Sequence, residues 1–305
     1  MIEGKHISQA SKEALQLIED RRDGVIVPLV TPWNKVNNTL MGGFEWGTFS
    51  TIGGLSGAGK TAFIAQLYRN FHKLNPNQPF IVLFFTFEMT AAKLILRDII
   101  ANTQIYREYL LSTIGHVISS QQLITVSSFL ESIKDLEIYF IEQTKTPEQY
   151  IEICREYHTK YKKKIVAIGD HSLLFEGINE DNDRGMLVRL SKAIVRLKNE
   201  QWSMHFILSQ LNREIENSAR RIPCSPMNYP DKSCLFASDA LFQASDYVLI
   251  LHRPYLLKFV GDTYGPDKLS TNIEDTYFHI IKQREGVPAI LKMRANFKEM
   301  VILEG

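Results

Sequence analysis

The chain has 305 residues, of which 45% are hydrophobic and 23% are charged. This composition is ordinary for a globular protein, and the length is sufficient for one large core or two small ones. The formal net charge of +1 excludes a strong overall field that would attract nucleic acid or a membrane, so any such binding must depend on local clusters of charge.

Cysteine usage and the length of apolar runs indicate the compartment. The three cysteines, Cys154, Cys224 and Cys234, have no metal-binding or redox spacing, and the N-terminal sequence MIEGKHISQASKEA lacks the apolar core of a signal peptide. No stretch approaches about 18 consecutive apolar residues, the length that a membrane helix needs. The sequence therefore predicts a reduced cytoplasmic protein with no membrane segment.

A short amphipathic helix is predicted at the N-terminus, over residues 8 to 23. Ser8 occupies the position of a cap, and Gly24 that of a stop. The apolar residues on one face of this helix are Ala10, Ala14, Leu17 and Ile18. The residues alone leave two interpretations equally open, because such a face can pack on its own domain or on a neighbouring subunit.

Strands and helices alternate in the rest of the chain. Near-continuous apolar runs predict strands over residues 48–53, 80–87, 137–143, 164–170, 204–210 and 247–253. Helical stretches separate the first five strands, over residues 60–74, 90–115, 147–160 and 185–201. This rhythm is typical of parallel strands covered by helices on both faces, so the chain is predicted to be an α/β protein with a mainly parallel central sheet.

The C-terminal part of the chain has a different pattern. Closely spaced strand candidates over 276–286, 289–295 and 298–304 predict antiparallel hairpins that close one edge of the sheet. Two polar or proline-containing segments, 176–185 and 218–234, are predicted loops.

The segment Gly54-Leu55-Ser56-Gly57-Ala58-Gly59-Lys60-Thr61 fits the phosphate-loop pattern G-x-x-x-x-G-K-[ST] in full, between a predicted strand and a predicted helix. Its glycines allow backbone N–H groups to turn toward a polyphosphate, and the N-terminus of the helix faces the same charge. Lys60 would neutralise the β- and γ-phosphates, and the Thr61 hydroxyl would bind Mg²⁺. The predicted nucleotide contacts are Gly54, Ser56, Gly57, Ala58, Gly59, Lys60, Thr61 and Ala62.

Hydrolysis also needs a carboxylate for the metal and a group that activates water. Asp170 ends the apolar strand KIVAIGD, and the carboxyl ends of parallel strands gather on the ligand side, so Asp170 is predicted to bind Mg²⁺ near Thr61. Glu88 follows the strand FIVLFFTF at the same edge and suits a water-activating base. From spacing alone, Glu88 could equally be a glutamate at a helix N-terminus that interacts with the helix dipole.

Five segments together resemble the hexameric replicative DNA helicases of the DnaB type, which are RecA-like ATPases. The segments are GLSGAGKTAF, FTFEMTAAKLILR, IVAIGD, FILSQLNRE and IIKQREG, and the resemblance spans about residues 26 to 303. It implies a RecA-like P-loop ATPase domain over residues 26–305 and, within residues 1–25, a linker-type helix that docks on the adjacent subunit. It also implies ATP and Mg²⁺ as cofactors, a homo-oligomeric and hexameric ring, single-stranded DNA, and a loader protein as a further partner.

The resemblance assigns catalytic roles at matching positions. Glu88 would be the carboxylate that activates water, and Gln210 would sense the γ-phosphate. Lys282 and Arg284 match positions that reach into the neighbouring subunit's site, where a guanidinium stabilises charge on the transferring phosphoryl group. Without the resemblance, Gln210 could be a strand-end amide, and Lys282 and Arg284 could be solvated strand cations.

Three departures from the family limit what this resemblance implies. No collar domain precedes the linker-type helix, so primase coupling is not expected. His171 stands where the family has an aromatic residue after the metal-binding aspartate, and it is assigned no role. In the DNA-gripping loop, Phe236 stands where the family has an arginine and Ala237 follows it, which weakens the expectation of DNA binding.

These observations favour an ATP-driven translocase on single-stranded DNA that unwinds duplex, with DNA-contacting loops near residues 176–184 and 228–240. Two alternatives stay open: a loader or remodeller that hydrolyses ATP without unwinding DNA, and a nucleotide-gated scaffold. The combination of Glu88, Asp170 and Arg284 argues against the scaffold, which would not need all three.

Overall fold

One mixed sheet forms the centre of the computed structural model, which describes residues 4–115, 117–177, 182–235 and 239–305. Its strands are β1 (Phe49–Gly54), β2 (Phe80–Thr86), β3 (Ile138–Ile141), β4 (Lys164–Asp170), β5 (Ser203–Gln210), β6 (Tyr247–His252), β7 (Asp275–Gln283), β8 (Ala289–Asn296) and β9 (Val301–Glu304). The order across the sheet is β3-β2-β4-β5-β1-β6-β7-β8-β9. The first six in this order are parallel, whereas β7, β8 and β9 continue the sheet in antiparallel fashion. The predicted parallel sheet with a C-terminal hairpin edge is therefore confirmed.

Helices cover both faces of the parallel part. In the described residues they are α1 (Ile7–Arg22), α2 (Asn34–Thr39), α3 (Lys60–Leu74), α4 (Ala91–Thr103), α5 (Arg107–Leu111), α6 (Ser120–Ile133), α7 (Pro147–Tyr161), α8 (Asp183–Lys198) and α9 (Asp239–Ala244). Helices α2, α3 and α4 pack on one face, and α7, α8 and α9 pack on the other. None of the described helices combines the length and apolar character that a membrane crossing needs.

Burial on both faces accounts for the continuous apolar runs. All residues of β2 are buried, with alternate side chains directed to opposite faces. Phe84 packs in the core with Phe63 of α3, and Phe85 packs in the opposite core with Tyr150 of α7. Each fully buried large apolar side chain contributes about 1.5–3 kcal/mol, so the two cores hold the strand ends in a fixed register.

Two helical regions differ from the prediction. The helix expected over 90–115 ends at Thr103, because Gln104 adopts a left-handed conformation (φ 56°) and caps α4. A separate helix, α6, was not predicted, although Ser119 and Gln122 form a capping box at its start and Val126 is buried on its inner face. Both α5 and α6 lie in the connection between β2 and β3.

The N-terminal helix α1 has no buried residue. Its cap is His6, whose Nδ1 accepts the Ser8 N–H, so the expected cap at Ser8 was wrong by two residues. Gly24 follows the helix with φ 72°, as expected for a stop. A bidentate ion pair between Arg21 and Glu45, with N–O distances of 2.8 and 2.7 Å, joins the end of α1 to the chain just before β1.

Candidate nucleotide-binding site

The phosphate loop connects β1 to α3, as the sequence predicts. Gly57 and Gly59 have φ angles of 77° and 99°, a region that favours glycine. Gly59 is required for a second reason, since a Cβ there would lie 2.7 Å from the Phe297 ring. The loop is closed by the Ala58 N–H, which donates to the Leu55 carbonyl at 3.1 Å. The predicted contacts Ser56, Thr61 and Ala62 lie in this loop and in the first turn of α3.

Lys60, the first residue of α3, folds its side chain back over the loop. Its Nζ donates to the carbonyl oxygens of Gly54 at 2.6 Å and Leu55 at 3.2 Å. Burial lowers the pKa of Lys60, and the nearby charges of Asp170 and Glu88 act in the opposite direction. The ammonium is thus held at the mouth of the phosphate loop, within electrostatic reach of both predicted carboxylates.

Asp170 ends β4 and is only 2% exposed. Its Oδ2 is buried and has no hydrogen-bond partner among the described residues. Burial, followed by the charge of Glu88, raises the pKa of Asp170 to about 6, although Lys60 and Arg97 oppose the shift. A cation at this position would lower the pKa of Asp170 again, because an opposite charge favours the ionised carboxylate.

Glu88 lies in a bend just beyond β2 and is exposed. The register pairs Thr86 with Asp170, and the Phe87 N–H donates to the Asp170 carbonyl at 2.9 Å, so the chain carries Glu88 past the end of β4. Helix α4 begins at Ala91, and its first N–H donates to Glu142 Oε1 at 2.6 Å, so Glu88 does not accept that hydrogen bond.

The end of β5 lies between the ends of β1 and β4, and it carries Gln210. This residue is exposed and pairs in register with Gly54 at the start of the phosphate loop. His171 follows Asp170, and its Nε2 is buried without a hydrogen-bond partner among the described residues. Burial and the positive charge of Lys60 lower the pKa of His171, so this histidine belongs to the same electrostatic environment.

Lys282 and Arg284 lie where the parallel strands begin, at the opposite ends of these strands from the phosphate loop. The backbone N–H of Arg284 donates to the Asp246 carbonyl at 3.1 Å, and the backbone N–H of Asp246 donates to the carbonyl of Phe49, the first residue of β1. The phosphate loop follows the last residue of β1, which lies about 17 Å away at ~3.3 Å per strand residue. The structure therefore does not bring these two cations to the phosphate loop of their own subunit.

The residues at the phosphate loop fit a magnesium nucleotide. The loop offers backbone donors and one ammonium for phosphates, and Asp170 presents a buried oxygen without a partner among the described residues. The described residues contain no cluster of three or more histidine, cysteine or acidic side chains that could hold a metal by themselves. Magnesium does not need such a cluster, because it is usually held by one or two protein oxygens together with phosphates and water.

Three residues near this site, Arg253, Phe297 and Arg97, were given no role from the sequence. Arg253, which follows β6, donates from Nη1 to the Gly57 carbonyl at 3.0 Å, and its guanidinium lies 4.4 Å from the centre of the Phe297 ring. Arg97 of α4 acts on the charge of Asp170. Arg253 could have been found from its place after a strand next to β1, whereas Phe297 lies on a hairpin that no motif marks.

Parts of the predicted DNA-contacting loops lie outside the residues that the structure describes. Phe236 and Ala237 lie outside the described residues, as do parts of the predicted loops 176–184 and 228–240. Arg220, in the predicted loop 218–234, is 9% exposed and pairs with Asp231 at 2.8 Å. This pairing gives Arg220 a structural role in its own loop.

Comparison with known proteins identifies the family. The family model described as "DnaB-like helicase C terminal domain" matches residues 29–301. Among curated proteins, the replicative DNA helicase DnaB of Nostoc sp. (strain PCC 7120 / SAG 25.82 / UTEX 2576) is 25% identical over 221 residues, covering 72% of this chain. The chain spans only 24% of the length of that relative.

Solved structures agree on the fold. One solved ATPase domain superposes with a TM-score of 0.80 at 20% identity, covering 99% of this chain and 100% of that one. A structure of a DnaB-like replicative helicase and its interactions with primase gives a TM-score of 0.78 at 19% identity, covering 99% of this chain and 67% of that one. The predicted RecA-like architecture is thereby confirmed, and the chain belongs to the family of DnaB-like helicase C-terminal domains.

Proposed function

We propose that the protein is an ATP-dependent helicase that assembles into a homo-oligomeric ring, translocates on single-stranded DNA and hydrolyses Mg-ATP at its subunit interfaces. Membership of the DnaB-like family supports the general activity. The observation that carries the interface proposal is the separation of two sets of residues. Lys60, Asp170 and Glu88 converge at the carboxyl ends of the parallel strands, whereas Arg284 lies at their amino ends.

The nucleotide site supplies most of what phosphoryl transfer requires. The loop amides and Lys60 would bind the phosphates, and Thr61 and Asp170 would hold Mg²⁺, which neutralises charge on the phosphate oxygens when bound. Glu88 is exposed beside this site and would accept a proton from the attacking water. Gln210, at the end of β5 between the ends of β1 and β4, would contact the terminal phosphate and couple its presence to the predicted DNA-contacting loops.

A cation from outside the subunit would complete the site. Arg284 is about half-exposed and lies too far from its own phosphate loop to act there. A guanidinium delivered by a neighbour stabilises charge in the transition state and contributes ~10³–10⁵-fold to turnover in known NTPases. Hydrolysis would then depend on assembly, which is the property that a ring translocase needs.

Exposed apolar surfaces support assembly through the helix within residues 1–25. Ile7, Leu15 and Ile18 of α1 are 73%, 57% and 63% exposed. Apolar side chains are also exposed on α5 and α6, namely Leu111, Leu123 and Ile124. In the proposed ring, α1 packs on the adjacent subunit and the ATPase domain comprises residues 26–305.

Mixing two inactive variants tests the interface proposal. Lys60→Ala removes the phosphate-loop cation but keeps Arg284, and Arg284→Ala has the reverse defect. Each variant alone should show turnover reduced by about 10³-fold or more, because each lacks one half of the site. Mixtures should recover a measurable fraction of wild-type steady-state ATP turnover through interfaces that combine the intact halves.

The control is a mixture of Lys60→Ala with Glu88→Gln, in which both variants are defective in the same half of the site, so no recovery is expected. If Lys60→Ala and Arg284→Ala show no recovery at any ratio, hydrolysis at subunit interfaces is contradicted.

A further inference from the structure

Asp246 is a buried carboxylate at the start of β6, with 8% of its surface exposed. Its Oδ2 accepts the Phe49 N–H at 2.8 Å and also accepts a hydrogen bond from Lys198 Nζ. Its Oδ1 lies 3.1 Å from Arg284 Nε. One carboxylate thus links the first residue of β1, the last residue of α8 and the cation just beyond β7.

The manner of the contact with Arg284 is informative. A guanidinium carries five N–H groups in a rigid planar fork. Asp246 contacts the nitrogen nearest the main chain, and half of the Arg284 side chain (51%) stays exposed. The nearest contact of this ion pair is therefore at the base of the fork, through Nε, rather than at the terminal amino groups.

The neighbouring cation is anchored separately. Lys282 Nζ donates to the carbonyl oxygens of Phe242 at 2.6 Å and Gln243 at 3.0 Å, near the end of α9. Burial and the charge of Arg284 lower the pKa of Lys282, whereas Asp246 acts in the opposite direction. Asp246 therefore offsets a local concentration of positive charge and keeps Arg284 in a defined place within it.

We propose that Asp246 is a positioning residue, which holds Arg284 by Nε so that the terminal amino groups are directed at the phosphates bound by the adjacent subunit. This inference rests on the proposed function, in which Arg284 acts in trans. Placement matters because an error of about 1 Å in a catalytic group can reduce a rate by ~100-fold. A carboxylate that only held β1 in place would instead affect the phosphate loop of its own subunit.

Asp246→Asn is the test variant, because the amide keeps an oxygen for the Phe49 N–H but loses the charge that holds Arg284. We expect kcat for ATP to fall by about 10- to 100-fold, with the affinity for a fluorescent ATP analogue within about twofold of wild type. Lys198→Met is the matched control, since it removes the other cation from Asp246 without changing Arg284. It should keep kcat within about twofold of wild type.

Subunit mixing then locates the defect. Asp246→Asn should recover turnover when it is mixed with Lys60→Ala, which supplies an intact Asp246–Arg284 pair. It should not recover when it is mixed with Arg284→Ala, which is defective in the same half of the interface. Recovery with Arg284→Ala but not with Lys60→Ala would place the defect at the phosphate loop and overturn the inference.

The reference mixture of Lys60→Ala with Arg284→Ala separates the two levels of the argument. If this reference mixture recovers turnover but the mixture of Asp246→Asn with Lys60→Ala does not, only the role of Asp246 is overturned. No recovery in the reference mixture contradicts the interface proposal and this inference together. If Asp246→Asn does not fold, Arg284→Lys replaces it, because a lysine has no Nε in a planar fork by which Asp246 could orient terminal amino groups toward a phosphate. Wild-type turnover in Arg284→Lys would overturn the inference.

Discussion

Asp170 carries a cost in stability that follows from its place in the nucleotide site. Burial and the charge of Glu88 raise its pKa from 3.8 to about 6. Between these two values the folded protein binds more protons than the unfolded chain, so its stability falls as pH rises from about 4 to about 6 and is then constant. The penalty above pH 6 is about 3 kcal/mol, at ~1.4 kcal/mol for each pKa unit.

Asp170→Asn should remove this penalty, because the amide resembles the protonated acid. Without nucleotide or metal, we expect the variant to be about 2–3 kcal/mol more stable than wild type at pH 7.5 and nearly equal at pH 4. Urea unfolding at the two pH values measures the difference. Asp135→Asn, at an exposed surface position, is the control for the substitution itself and should change the free energy of unfolding by no more than about 0.5 kcal/mol at pH 7.5. An Asp170→Asn variant less stable than wild type at both pH values would contradict this account of Asp170.

At the scale of elements, α1 is the clearest unpartnered surface in the described part of the chain. Ile18 is 63% exposed and lies on the apolar face, so Ile18→Lys should leave the free energy of unfolding of the subunit within about 0.5 kcal/mol of wild type. It should nevertheless weaken assembly, because a charge would enter the proposed interface between α1 and the adjacent subunit.

Light scattering at matched protein concentrations measures this effect. Gln16→Lys is the control, since residue 16 lies on the opposite face of α1 and forms a hydrogen bond to Asp20 at 2.8 Å. Equal assembly of Ile18→Lys and wild-type protein would argue against a docking role for α1.

The elements also show what sequence patterns can and cannot predict. Apolar runs such as FIVLFFT predict strands well, because burial on both faces leaves little room for polar residues. The end of α4 at Gln104 was not predictable, since a left-handed glutamine at that point carries no glycine or proline signal. Helix α6 was predictable in principle, because Ser119 and Gln122 have the spacing of a capping box.

The residues of the candidate site that local patterns mark were predicted, whereas its long-range contacts were not. Lys60 and Asp170 follow from a contiguous motif and a strand end, both of which are local signals. The contacts of Arg253 with Gly57, and of Asp246 with Arg284, join segments that are far apart in the chain. Such pairs depend on strand order, which the sequence pattern alone does not determine.

At the scale of the whole molecule, the proposed arrangement would connect nucleotide hydrolysis to assembly. The two halves of the proposed site lie at opposite ends of the parallel strands of one sheet. An isolated subunit therefore cannot bring its own Arg284 to its own nucleotide. DNA bound in the centre of a ring would order the subunits and bring these halves together. This coupling distinguishes a translocase from an ATPase that works alone.

Steady-state ATP turnover with and without single-stranded DNA, at concentrations where the protein assembles, tests the central claim most directly. The Glu88→Gln variant is the control for contaminating activity, because it should bind ATP and lose about 10²–10⁴-fold in turnover. The account predicts that single-stranded DNA stimulates wild-type turnover several-fold and that the assembled protein unwinds a forked duplex. Turnover that is the same with and without DNA would contradict the translocase and favour a remodelling ATPase built on the same site.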